Sequence, residues 1–270
     1  MFASWHADPT VWAGVLIAGG LYAGSGWSWR REFNATRHPT AGQSVSFGLG
    51  LLVLVLALES PLDTLGDQAY FYLHMLQHLL LVLVVPVLLL VGIPGWLLRP
   101  VLTQPAVAPI FRLLTRPLVA TLLFNMVFAV AHLPALFDSI SANEALHAGE
   151  HLLFLATGIL LWWPVLGSLD EFPQLSYPLQ MGYLFLQTLP CSLVAALITL
   201  SSSPLYRQYA LLRGGRMTAL DDQQIGGLLM WIGGSLYFFL AMAVVFFLWA
   251  GEEEHWVTIP AFGGAAARDV

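Results

Sequence analysis

The chain has 270 residues, of which 58% are hydrophobic and 10% charged, with one cysteine and a formal net charge of −6. Soluble domains carry roughly a quarter charged residues, so the composition excludes an ordinary soluble domain and implies a lipid bilayer as solvent. The basic residues are all arginine and form no patch suited to nucleic acid, and a lone cysteine excludes an intrachain disulfide.

The fold class expected is all-α, a polytopic bundle forming a single transmembrane domain over 1–270. The opening residues, MFASWHADPT, lack a positively charged start. No cleaved signal peptide is therefore expected, and the first span stays in the mature protein. A span needs about 20 mostly apolar residues, and seven stretches qualify: 11–29, 42–58, 70–90, 118–137, 146–166, 179–200 and 225–249. The linker 91–117 is rich in proline, which argues against a long helix and leaves room for a short interfacial segment near 107–114. A flexible tail is expected over 251–270, where Glu252, Glu253 and Glu254 precede AFGGAAARDV.

With seven spans, Arg30, Arg31, Arg37, Arg99, Arg112, Arg116 and Arg268 fall on one side, and Arg207, Arg213 and Arg216 on the other. The second side also receives Asp8, Glu59, Asp63, Asp67, Asp138, Glu144, Asp221 and Asp222. The excess of arginine places the N-terminus outside and the C-terminus in the cytoplasm.

In the third span, His74 and His78 lie four residues apart, so both rings leave one helical face. The fifth span begins LHAGEHLLF, with His147 and His151 at the same spacing and Glu150 beside them. His132 closes the fourth span, which a short outer loop joins to the fifth. These five of the eight histidines then share one level in the outer leaflet, and ionisable groups inside spans usually mark a function. Cys191 in the sixth span, Met230 in the seventh and Asn125 in the fourth fall at similar depth.

Several chemistries fit. Buried histidines sometimes only hydrogen-bond neighbouring helices, a reading that suits one ring better than five. Two H-x-x-x-H pairs on facing helices supply four imidazoles to a metal such as copper or zinc. Cys191 and Met230 would add soft sulfur suited to Cu(I), and Glu150 or Asn125 would orient a ring. Bis-histidine haem is a further alternative, although transmembrane electron transfer through two haems needs histidine in the inner half as well. His147–Glu150–His151 also reads H-x-x-E-H, the inverted zinc-peptidase pattern, which would make an outer-leaflet zinc hydrolase. Glu59, Asp63 and Asp222, at outer span ends, are expected to be solvated loop carboxylates or helix caps. Trp162, Trp163, Trp27 and Trp29 are expected to anchor at the inner interface. Gly226, Gly227, Gly233 and Gly234 suggest close helix contact.

Several of these stretches resemble the CtaG family of bacterial cytochrome c oxidase assembly proteins. They are ESPLDTL at 59–65, HMLQHLLL at 74–81, AHLPALFD at 131–138, HAGEHLLFLATGILLWWPVLG at 147–167, SSPLYRQY at 202–209 and DDQQIGGLLMWIGGS at 221–235. The resemblance implies seven spans in the plasma membrane of a bacterium and a non-enzymatic role in maturing haem–copper oxidases of the caa type. It implies a metallochaperone that binds copper and delivers it to oxidase subunits, and it is compatible with a homodimer. On that basis His74, His78, His147 and His151 are expected to hold the metal, with His132 a further ligand or a partner on the entry path.

Overall fold

The computed structural model describes residues 5–24, 38–211 and 217–257. Among the described residues every regular element is helical. Helix α1 is Pro9–Gly24, α2 Ala41–Glu59, α3 Pro61–Gln68 and α4 Phe71–Gly92, the last containing a π turn at Leu80–Val84. Short helices α5 (Gly95–Leu102) and α6 (Ala108–Leu114) precede α7 (Pro117–Ala131) and α8 (Pro134–Ser141). Then come α9 (Glu144–Leu166), α10 (Tyr177–Thr199) and α11 (Arg207–Leu211). Helix α12 runs without a break through Ala219–Leu228, a π turn at Leu229–Gly233, and Gly234–Val257.

Five helical stretches are long and apolar enough to cross a bilayer: Ala41–Gln68, Phe71–Gly92, Glu144–Leu166, Tyr177–Thr199 and Ala219–Glu253. The pair α6 and α7, bent by 71°, supplies a sixth if it is one broken span. Of the span expected at 11–29, α1 is the described part, and 25–37, with Trp27 and Trp29, lie outside the described residues.

Local chemistry sets the helix ends. Thr40 and Gln43 close a capping box on α2, and Thr218 and Asp221 close one on α12. Proline at the first helical position starts α3, α7 and α8, where the missing N–H has no intrahelical partner to lose. Pro134 also corrects the expected fourth span. The helix stops at Ala131, and a separate helix, not a bare loop, leads to α9. At the other end of the chain, α12 continues to Val257, past the point where the sequence suggests a tail; residues 258–270 lie outside the described residues.

The bundle is centred on α4. Helix α2 packs on its second half, α3 and the start of α12 on its first half, and α9 on the π turn and the second half. Helix α7 lies against α9 and α10, and α10 against α12. A Cβ on Gly92 would lie 2.5 Å from the Phe47 nitrogen, so α2 and α4 touch backbone to backbone there. Leucine, valine and phenylalanine are exposed along α2, α10 and α12, as expected of faces that meet lipid. Trp162 and Trp163 are not interfacial anchors. Both are buried, with indole N–H groups donating to the carbonyls of Val82 and Phe172, because α9 turns these rings towards α4 and the segment that follows α9.

Candidate metal centre

The first turn of α4 fixes the site. Its N–H groups at Phe71 and Tyr72 donate to Oδ2 and Oδ1 of Asp222, at 2.8 and 3.1 Å. Asp222 belongs to α12, so one helix caps another. A carboxylate here satisfies donors that no intrahelical carbonyl reaches and sits at the positive end of the α4 dipole. Gly226, one turn on, keeps the two helices close: a Cβ there would lie 2.5 Å from the Phe71 ring. Gly66 does the same for α3, since its Cβ would come 3.0 Å from the His74 nitrogen.

These contacts bring His74 and His78 against His147 and His151 of α9. Ring centroids are 4.2 Å apart for His74–His78, 5.2 Å for His74–His147, 4.3 Å for His147–His151 and 5.4 Å for His78–His151. All four are buried. Ligand atoms of His74, His78, His147 and Glu150 lie within 4.8 Å of one another. Glu150 therefore stands among the candidate ligands, and not behind them as an orienting group. His151 abuts this set, and His132 stands one ring further out, 6.1 Å from His78.

Asp67 of α3 organises the cluster, a role that the sequence alone does not assign to it. Its Oδ1 lies 3.2 Å from His74 Nδ1 and its Oδ2 3.4 Å from His147 Nδ1. A carboxylate only accepts, so each Nδ1 carries the hydrogen and each Nε2 keeps a lone pair in the neutral ring. Both of those Nε2 atoms are buried without a hydrogen-bond partner. So are Nε2 of His151, both nitrogens of His78, both carboxylate oxygens of Glu150 and Nε2 of His132. Buried polar groups normally find partners. This many orphaned atoms, gathered in one small volume, could serve as donors to an ion.

The remaining residues sort themselves around it. His132 follows the last turn of α7 and donates Nδ1–H to the Phe128 carbonyl at 2.7 Å. Cys191 and Met230 do not join the four-residue cluster; they line a cavity beside it together with His78 and His132. Asn125 does not orient a histidine. Its amide donates to the Thr121 carbonyl and Gln187, and its oxygen accepts from the Cys191 thiol at 3.7 Å.

The three carboxylates expected at outer span ends are not solvated loop groups. Glu59 is fully buried and accepts from the Asp8 backbone N–H. Asp63 accepts from the Gln77 side chain and faces His6 at 3.3 Å. Asp222 is the interhelical cap described above. Tyr206, Gln208 and Tyr209 also escape a reading of the sequence. They bond to the carbonyls of His132, Asp67 and Gly66 respectively. One signal in the sequence points this way: Asp63 and Asp67 lie four apart in a short segment just before the histidine helix.

No solved structure matches the chain. An uncharacterized protein of Mycobacterium leprae is 25% identical over 276 residues, covering 96% of this chain and 41% of the relative. Uncharacterized proteins of Mycobacterium bovis and Mycobacterium tuberculosis are each 27% identical over 271 residues, covering 93% of this chain and 40% of theirs. The chain thus spans about two fifths of the length of these relatives. The family model for the cytochrome c oxidase caa3 assembly factor matches residues 20–252. This chain belongs to the cytochrome c oxidase caa3 assembly factor family.

Proposed function

We propose that this protein binds a copper ion as cargo between α4 and α9 and passes it to the copper centre of a haem–copper oxidase. The observation that carries the reading is the set of buried, unpartnered nitrogen and oxygen atoms on His74, His78, His147 and Glu150, whose ligand atoms lie within 4.8 Å of one another. Imidazole suits copper and zinc, and a carboxylate completes a mixed set. A carrier gives up its ion by ligand exchange, so neighbouring donors such as His151 and His132 serve it better than a closed shell.

In this reading the chain crosses a bacterial plasma membrane seven times, N-terminus outside, with the cluster just beneath the outer surface. Its partners are oxidase subunits, and two copies acting together are compatible with it. The copper of such oxidases lies within their membrane subunit, so a donor inside the leaflet meets it at similar depth. Haem fits less well, because the cavity beside the cluster has a volume of about 30 Å³, which is room for a water or a single ion. The zinc-hydrolase alternative draws on the same Glu150 and is separated from the carrier by Glu150→Gln: a hydrolase loses turnover while keeping its metal.

The test is elemental analysis and absorption spectroscopy on gently purified protein, repeated with His78→Ala and His151→Ala. The expected outcome is bound copper in the native chain, no Soret band, and loss of copper in His78→Ala. Unchanged metal content in both variants overturns the ligand assignment, and a Soret band overturns the copper reading.

A further inference from the structure

A cavity borders the cluster and shares His78 with it. His78 and His132 line the cavity of about 30 Å³ together with Met75, Met230 and Cys191, and the rest of its wall is aliphatic or phenyl. His132 gives its Nδ1 hydrogen to the Phe128 carbonyl, which fixes the tautomer and leaves Nε2 as a bare lone pair. That Nε2 is buried without a partner, and so are both nitrogens of His78. His78 offers one ligand atom to the cluster, and the same ring forms part of the cavity wall. Unpartnered imidazole in an apolar wall is unfavourable, so the cavity has a use for it.

The backbone around the cavity is unusual too. The π turn at Leu80–Val84 follows closely on His78, and the π turn at Leu229–Gly233 carries Met230. The first half of α4 packs on that second turn. π turns are rare and gather at functional sites. Here each helix gives residues of its π turn to the wall of the same cavity, Val82 and Leu83 from one and Met230 from the other.

The donor types decide the ligand. Two imidazoles, two thioethers and one thiol, with no carboxylate, suit a soft monovalent ion such as Cu(I) and offer nothing to calcium or magnesium. The outer cluster, with Glu150 present, is a nitrogen–oxygen site. We propose that the cavity is a second, sulfur-lined site for a soft monovalent cation, joined to the outer cluster through His78. Only the identity of the metal rests on the function proposed above. An ion would move from one site to the other by exchanging partners around His78, with no step that leaves it in hydrocarbon.

The full chain, purified in detergent under reducing conditions, is loaded with Cu(I) and separately with Ag(I), which keeps its oxidation state there. X-ray absorption reads the neighbours of the ion, and elemental analysis counts ions per chain. The expected native result is two ions per chain with sulfur among the neighbours. Met75→Leu and Met230→Leu combined with Cys191→Ser, close to volume-conserving, leaves one ion and no sulfur. His147→Gln with Glu150→Gln leaves one ion with sulfur retained. Nitrogen and oxygen neighbours alone in the native chain overturn the second site and spare the outer one. Loss of the sulfur-bound ion in the cluster variant also overturns it, since both groups then form one site. If no ion binds anywhere, this inference and the proposed function fall together.

Discussion

His74 and His147 stack face to face, with ring centroids 5.2 Å apart and planes 13° from parallel. Both rings turn Nδ1 to the same neighbour, Asp67, which takes one on each carboxylate oxygen. One side chain from α3 thus sets the tautomer and the tilt of a ring from each of two other helices. The substitution Asp67→Asn keeps the shape of that side chain but exchanges one accepting oxygen for a donor and removes the charge.

The expected effect of Asp67→Asn is a fall in metal affinity of about 10–100-fold, the usual size when a group orienting a ligating histidine is changed. Competition with a chelator of known affinity measures it. An unchanged affinity shows that the rings are oriented by packing alone.

Glu150 makes the opposite test. Both of its oxygens are buried and unpartnered, so the ion-free protein carries an uncompensated group. Glu150→Met keeps similar bulk and should stabilise the ion-free form by about 1–3 kcal/mol. The same change should weaken the added stability that copper confers. Thermal unfolding in detergent, with and without Cu(I), reads both effects.

Asp222→Ala removes the interhelical cap from Phe71 and Tyr72. A lost cap costs about 0.5–2 kcal/mol, and here it also frees the start of the helix that carries His74 and His78. The expected result is a lower unfolding midpoint together with weaker metal binding. Asp221→Ala, on the neighbouring exposed position, should lower stability without touching the metal.

Two glycines distinguish packing from propensity. Gly226→Ala drives a methyl into the Phe71 ring and should cost about 1–3 kcal/mol through overpacking. Gly149→Ala lies next to Glu150 but meets nothing within 4 Å. It should be neutral or stabilise by about 0.5–1 kcal/mol, because alanine suits a helix interior better than glycine. An unfolding midpoint that drops for Gly149→Ala as far as for Gly226→Ala would contradict this division.

The helices and the facing histidine pairs are legible in the sequence because both rest on short-range rules. Long apolar runs fix spans, and a spacing of four fixes a common face. What is not legible depends on contacts between distant segments. Asp222 looks like an ordinary acid near the start of its own helix, and only the fold shows that it caps α4. Asp67 counts in the sequence merely as charge on one side of the membrane. Trp162 and Trp163 sit where interfacial anchors belong, yet the packing of α9 turns both rings inward. Pro134 is in plain view, but a proline marks a break without revealing that a new helix, α8, follows it.

The segment holding Tyr206, Gln208 and Tyr209 ties the surroundings of the cluster together from outside α4 and α9. It is pinned to His132, Asp67 and Gly66 by three separate hydrogen bonds, two of them to the last turn of α3. The same turn carries Asp67, so the carboxylate facing His74 and His147 is itself held in place from across the bundle.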